Sequence, residues 1–361
     1  MTDGGHERAA DAGVIGVFTM GGTIASTPGT GNTAMPDAVH HGAWHGVTPR
    51  LSARDLVAAV PELAVFPLQL VDVRRKPSPS LTFADLDELL SAIADRPGLT
   101  GIVVTQGTDT IEETSWLLDL RYHGVAPVVV TGAMRTPGTA GADGPANLLA
   151  ATQVASSPDA HDLGVLVVLN DEIHTARTVR KAHSTSTAAF ASPDTGPIGR
   201  VIEGTVTIFN RPARACRSLG DFRPMGSHRA RVAIVPMTLG EDDTVLRAIG
   251  GHVDGLVVAG FGAGNAPTPV VEALTELAWQ KPVVLTTRTA AGPVTTSTYG
   301  YPGSGSDLLA RGLISAGYLG PYKARILLHV LLTGGAQDAQ IKRVFSELGS
   351  APLSATRRVV P

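Results

Sequence analysis

The sequence predicts an α/β protein of two α/β domains: a larger N-terminal one on a mostly parallel sheet and a smaller C-terminal one whose sheet is parallel. Three observations carry this. Short β-rich runs alternate with helical patterns at the spacing of βαβ units. The apolar periodicity lapses between residues 211 and 229 into Arg, Pro, Gly and Ser, the composition of an interdomain linker. A chain of 361 residues that is 43% hydrophobic is long enough for two buried cores. The expected division is residues 1–210, the linker 211–229, and residues 230–361.

In order along the chain, strands are expected near 13–18, 101–105, 126–131 and 164–169, and helices near 83–94, 111–121 and 146–156. The helix starts carry their own signals. Thr82 with Asp85 resembles a capping box, Thr110 with Glu113 matches one, and Pro145 suits a first helical position. Beyond the linker, residues 231–235, 255–259 and 282–286 read as strands, and 268–280, 323–333 and 338–347 as helices. Residues 26–50 show no periodicity and hold His40, His41, Trp44 and His45. So long a connection reads equally as a mobile lid over a site or as a surface insertion.

Composition narrows the function. Lys and Arg number 29 against 32 Asp and Glu, giving a formal charge of −3, with no basic block to hold a phosphate backbone, so nucleic acid is not an expected partner. The single cysteine, Cys216, offers neither an intrachain disulfide nor a zinc cluster and fits a reducing compartment. Residues 1–12 are polar and acidic, unlike a signal peptide, and no stretch is long and apolar enough to span a bilayer. The expectation is a cytoplasmic protein.

The chemistry gathers at strand exits, where open α/β sheets keep their ligands. The run 14–18 leads into Thr19-Met-Gly-Gly-Thr23, and 101–105 into Gln106-Gly-Thr-Asp-Thr110. Each is a strand ending in a glycine-relieved turn that presents a threonine hydroxyl. A hydroxyl becomes a useful nucleophile only when a neighbour takes its proton. Thr23 and Thr108, with Asp109 and the more distant Lys181, form such a set. Each part has a plainer reading. Thr23 alone is compatible with a cap, and N-capping needs only one of the polar residues at 105–110. A third polar exit, 131–147, is compatible with a purely structural role. Gly260-Phe-Gly-Ala-Gly-Asn265 lacks the full G-x-G-x-x-G spacing of a dinucleotide site.

Taken together, Thr-Met-Gly-Gly-Thr-Ile-Ala at 19–25, Thr-Gln-Gly-Thr-Asp-Thr-Ile-Glu-Glu-Thr at 105–114, Thr-Gly-Ala-Met-Arg at 131–135, Ala-Asp-Gly-Pro-Ala-Asn-Leu at 142–148, and Asn170-Asp171 leading to Lys181 resemble the bacterial-type L-asparaginase family, which includes glutaminase-asparaginases. The likeness covers nearly the whole chain. It implies hydrolysis of the side-chain amide of L-asparagine to aspartate and ammonia, through an acyl-enzyme and without metal or organic cofactor, and usually a homotetramer built from tight dimers. By matching position it implies Thr23 as nucleophile and Thr108, Asp109 and Lys181 as a second cluster, with Asp109 holding the substrate α-ammonium. Backbone N–H groups at Gly22 and Gly107 are placed to steady an oxyanion. Ser78 falls where the family binds the α-carboxylate, and Ser80 is close enough to compete.

The sequence departs from the family in one respect. Many members carry a tyrosine in the loop after the nucleophile, whereas the five tyrosines here are 122, 299, 301, 318 and 322. A glutamate that some members supply from a neighbouring subunit aligns approximately with Tyr299. Tyr299 or a histidine of the 26–50 loop is therefore the expected substitute activator. Lys181 serving both threonines, or acylation at Thr108, is the other possibility, and Asn265 is a candidate for touching a site across a subunit interface. Glutamine as preferred substrate, and a weakly catalytic amino-acid-binding homologue, are the alternative functions.

Overall fold

A computed structural model describes residues 13–28, 46–214, 219 and 229–351. The chain divides into two compact units. The first takes in residues up to Leu118, Gly124–Ala191 and Pro197–Arg211, and the second Asp119–His123, Ser192–Gly196 and the residues from Pro212 onward. Most of the 211–229 stretch, with Cys216, lies outside the described residues.

In the first unit, β1 (Ile15–Gly21) leads through a short turn to β2 (Ser26–Pro28), which pairs antiparallel with β3 (Val47–Pro49). Then come α1 (Ala53–Ala58), β4 (Leu68–Lys76), α2 (Phe83–Ala94), β5 (Gly101–Thr105), α3 (Ile111–Arg121), β6 (Val128–Thr131), α4 (Gly144–Ser156) and β7 (Val165–Leu169). The remaining strands are β8 (Glu172–Thr175), β9 (Arg180–Lys181), β10 (Phe190–Ala191), β11 (Gly199–Ile202) and β12 (Thr205–Ile208). An eight-stranded sheet among the described residues runs β12-β11-β8-β7-β6-β5-β1-β4. It is parallel from β4 to β7 and antiparallel from β7 to β12.

The parallel half follows from its sequence. Strands β1, β5, β6 and β7 are buried at every position, as expected of strands covered on both faces. On one face Ile15, Val17, Val103, Val129, Leu166 and Val168 join Leu148, Ala151 and Ala155 of α4 and Leu56 of α1 in one cluster. Each fully buried side chain of this size contributes about 1.5–3 kcal/mol. The helix starts agree with the sequence at two points: Thr82 and Asp85 form a reciprocal capping box on α2, and α4 begins with Pro145 in its first turn.

Thr110 behaves differently from expectation. It lies inside a short 3-10 turn, Thr108–Thr110, that precedes α3, and its Oγ1 accepts from Gln106 Nε2 at 3.2 Å and donates to the Ser78 carbonyl at 3.4 Å.

Two features of the sheet are invisible to a search for buried strands. The half-exposed β4, Leu-Gln-Leu-Val-Asp-Val-Arg-Arg-Lys, forms the outer edge beside β1, where charged side chains discourage further pairing. Its charges also have a structural use. Arg74 Nε and Lys76 Nζ donate to buried Asp85 at 2.7 and 2.8 Å, tying the edge strand to the start of α2. Burial pushes the Asp85 carboxyl up, but hydrogen bonds from Lys76, Arg74 and Thr82 outweigh it and hold the group far below the usual carboxylate range. The second feature is the switch to antiparallel pairing. Asn170 and Asp171, both at positive φ (53° and 60°), join β7 to β8 with Leu169 opposite Glu172, the backbone a two-residue type I′ hairpin needs.

In the second unit, β13 (Val232–Pro236), β14 (Gly255–Gly260), β15 (Val283–Thr287) and β16 (Ile314–Ser315) form a parallel sheet in sequential order. Helices α5 (Thr244–Gly250), α6 (Val271–Gln280), α7 (Gly305–Ala310), α8 (Pro321–Thr333) and α9 (Asp338–Gly349) accompany it. Val235, Leu256, Val258, Leu274, Leu285 and Leu308 belong to its core. Among the described residues no helix is long and apolar enough to cross a membrane.

Candidate active site

The site is assembled at the carboxyl ends of β1 and β5, adjacent strands in register from Ile15 opposite Gly101 to Thr19 opposite Thr105. Past Thr19 the backbone of β1 turns sharply through Gly21 and Gly22, at φ of 98° and 85°, a region open to glycine at little cost. Gly22 is also where the two turns meet. A β-carbon there would lie 2.0 Å from the Gly107 nitrogen, and one on Gly107 would lie 2.6 Å from Ser78 Oγ. The glycines therefore permit three segments, the turn after β1, the turn after β5 and the start of residues 78–80, to touch through their backbones.

The turn bearing Thr23 is fixed by its main chain. Ala25 N donates to the Gly22 carbonyl at 3.0 Å, Ser26 Oγ donates to the same carbonyl at 2.8 Å, and Arg50 N and Leu51 N both donate to the Ala25 carbonyl. One layer below, Thr19 Oγ1 and Ala53 N donate to Asp72 Oδ1 at 2.9 and 2.8 Å, joining the end of β1 to the start of α1. Thr23 itself is half-buried. Among the described residues its hydroxyl has no hydrogen-bond partner. The 26–50 connection is clasped at its base by β2 and β3, while His40, His41, Trp44 and His45 lie outside the described residues.

Thr108 is held in the opposite way, through its side chain. It is buried, and its Oγ1 accepts from Lys181 Nζ at 2.9 Å, while the same ammonium donates to Asp109 Oδ1 at 2.6 Å. The sequence separates these residues by more than seventy positions. The fold returns Lys181 on a two-stranded ribbon in which it pairs with Phe190. Asp109 keeps 59% of its side chain exposed, and Oδ2 has no partner among the described residues, so that oxygen remains open to a cation.

Ser78 is buried against this cluster. Its Oγ accepts from Asp109 N at 3.2 Å, which leaves the hydroxyl proton available to an anion. Ser80 is exposed, two residues further along the same turn. Tyr299 and Asn265 belong to the second unit. Tyr299 is 45% exposed with its ring 5.9 Å from that of Tyr301, and Asn265 Oδ1 accepts from Gly305 N at 3.2 Å. The glycines of 260–264 form a tight turn closed by a bridge between Phe261 and Asn265. Among the described residues no group of three or more His, Cys, Asp or Glu is arranged to hold a metal ion.

The sequence reading passed over Glu112, whose Oε2 accepts from the Lys181 backbone N at 2.9 Å. Its partner is a main-chain amide far along the chain, so no side-chain motif announces it.

The third strand exit is structural as well as close by. Asp143 accepts from Met134 N and Arg135 N, and Asn147 links the Gly132 carbonyl to Asn170 N. These bonds lock the turns after β6 and β7 to the start of α4.

Comparison with known proteins agrees along the chain. The family model described as Asparaginase, N-terminal matches residues 14–214, and that of the Glutaminase/Asparaginase C-terminal domain matches residues 231–345. A probable L-asparaginase of Deinococcus radiodurans is 39% identical over 92% of this chain and 97% of its own. A glutaminase-asparaginase of Pseudomonas fluorescens is 34% identical over 92% and 89%. The crystal structure of a probable cytoplasmic L-asparaginase from Campylobacter jejuni superposes with a TM-score of 0.80 at 31% identity, over 92% of this chain and 99% of that one. With both family models matched in order and the strand-exit threonines in place, the chain belongs to the asparaginase family.

Proposed function

We propose that this protein hydrolyses the side-chain amide of L-asparagine to L-aspartate and ammonia through an acyl-enzyme on Thr23. The observation that carries the reading is the Lys181 ammonium placed 2.9 Å from Thr108 Oγ1 and 2.6 Å from Asp109 Oδ1, in a chain of the asparaginase family. Thr23 Oγ1 attacks the amide carbon and gives up its proton. The C–N bond then breaks as that proton is delivered to the nitrogen, which leaves as ammonia. Water next attacks the ester; Lys181, having yielded its ammonium proton to solvent, takes a proton from that water by way of Thr108 and passes it on to Thr23 Oγ1, which is released as the β-carboxyl of aspartate ionises.

Asp109 Oδ2 holds the α-ammonium, Ser78 the α-carboxylate, and the N–H groups at Gly22 and Gly107 the developing oxyanion. The activator of Thr23 is a group beyond the contacts of its own turn, with Tyr299 and the histidines at 40, 41 and 45 as candidates. Single-turnover rates of Tyr299→Phe and of the three His→Ala variants assign it; normal acylation in all four removes them. Thr23, Thr108, Asp109 and Lys181 belong to residues 1–210, and the assembly is a cytoplasmic homo-oligomer, a tetramer by family likeness.

Purified protein incubated with L-asparagine should release ammonia stoichiometrically with aspartate; no ammonia would overturn the proposal. The Pseudomonas relative, a glutaminase-asparaginase, supports a second substrate. Glutamine differs by one methylene, which a pocket discriminates by roughly 1–3 kcal/mol, so kcat/KM for the two amides decides the preference.

A further inference from the structure

We propose that Glu112 is a positioning residue for Lys181, setting where the lysine amine meets Thr108; the inference rests on the catalytic reading of Lys181 given above. Lys181 has no place in the eight-stranded sheet. It lies on a ribbon of two residues per strand, where Lys181 pairs with Phe190 and Arg180 with Ala191. So short a ribbon needs outside anchors to hold a side chain within hydrogen-bond range of a reacting group.

The ion pair to Asp109 is a poor anchor, because 59% of the Asp109 side chain meets solvent and water screens such pairs strongly. The bond to Thr108 is the very one that must rearrange when a proton moves, so it cannot also serve as the fixed point. The Glu112 carboxylate remains. It accepts the Lys181 backbone N–H at 2.9 Å, a charge-assisted bond that the reaction does not disturb.

The source of that carboxylate gives the arrangement its meaning. Glu112 stands in the first turn of α3, directly after the 3-10 turn that carries Thr108 and Asp109. One continuous stretch therefore holds Lys181 at both ends, its amine through Thr108 and Asp109 and its main chain through Glu112. Any shift of the ribbon relative to α3 is resisted at the lysine's own backbone, and the Nζ to Oγ1 distance is set within a single local frame. A plainer role for Glu112, an acidic residue complementing the N-terminal end of a helix dipole, predicts an effect on stability and none on turnover per folded molecule.

The test compares Glu112→Ala, Glu112→Asp and Glu112→Gln with Lys181→Met in the full-length chain, measuring kcat and KM for L-asparagine and the thermal midpoint. Ala removes the acceptor and Asp withdraws it by one methylene. Both should lower kcat by about 10- to 100-fold, the scale of a misplacement near 1 Å, while KM stays within about twofold because substrate binding is untouched. Gln keeps an acceptor oxygen at the same reach and should restore most of the rate. If Glu112→Ala does not fold, Glu112→Asp decides alone. An inactive Lys181→Met beside Ala and Asp variants of normal kcat, or equal losses in Gln and Ala, overturns the role of Glu112. Normal turnover in Lys181→Met overturns the catalytic reading itself, and the positioning role with it.

Discussion

The turns after β1 and β5 are built from the same parts, a buried strand, a glycine-containing turn and a threonine, yet they are held in opposite ways. At Thr108 the side chain is constrained: its hydroxyl is buried and bonded to Lys181. At Thr23 the main chain is constrained, by hydrogen bonds to the Gly22 and Ala25 carbonyls, and the hydroxyl is left without a protein partner among the described residues. In the proposed reaction this contrast prepares the two threonines for different moments. A hydroxyl with a fixed partner is ready to relay a proton. Under the proposed mechanism, one held only by its backbone attacks a carbonyl carbon and is completed by the substrate and by a group from elsewhere.

The strongest way to break this contrast is to remove each hydroxyl system in turn. Thr23→Ala should lower kcat by at least roughly 10⁴-fold, as expected for loss of a nucleophile, while aspartate binding measured by calorimetry persists. A catalytically weak binding protein would show the opposite, with no turnover to lose. Lys181→Met should cost about 10²- to 10⁴-fold, the range for a lost general base, with the deficit in the breakdown of the acyl-enzyme: a burst of ammonia should precede a slow steady state. Absence of the burst would place Lys181 in acylation instead.

A third variant tests the backbone half of the comparison. Gly22→Ala forces a side chain onto φ of 85° and a β-carbon to within 2.0 Å of Gly107 N. It should cost about 1–3 kcal/mol in stability from backbone strain alone, and up to about 10²-fold in kcat as Thr23 moves. Thermal unfolding and turnover measured on one preparation separate the two effects.

Much of this was legible in the sequence because buried parallel strands announce themselves. Val-Val-Val-Thr at β6 and Gly-Ile-Val-Val-Thr at β5 leave little choice, and the residues that follow them sit where α/β sheets bind ligands. What escaped reading shares one physical cause, the mixing of charge into ordered structure. Strand β4 carries Asp72, Arg74, Arg75 and Lys76 because it is an edge, and its charges work in ion pairs rather than in a core. The antiparallel strand β11 alternates buried with exposed positions, and its Arg200 pairs with Glu172 of β8. Glu112 was hidden beside Glu113, since local pattern draws attention to capping while the actual bond is to a main-chain amide on another element. Candidate residues adjacent in sequence, such as Thr108 and Asp109, could be grouped from spacing; those joined by folding alone, such as Glu112 with Lys181, could not.

The smallest expected effect lies outside the site and sharpens the comparison by serving as its control. Asp85 is tied to Arg74, Lys76 and Thr82, and its carboxyl is held below the ordinary value of 3.8. A carboxyl depressed in the folded state contributes stability above its unfolded value, and the contribution fades as pH falls through the interval down to the folded value. Asp85→Asn should therefore lower stability by about 2 kcal/mol at neutral pH and flatten the loss of stability below about pH 4, with kcat unchanged. Denaturant titrations at neutral pH and below pH 4 check both statements.

The division of labour between the two threonines is tested most directly by rapid acid quench of L-asparagine turnover in Lys181→Met, followed by peptide mapping of the covalent adduct. An aspartyl group on the peptide that contains Thr23, with the Thr108 peptide unmodified, is the result expected; an aspartyl group on Thr108 would contradict it.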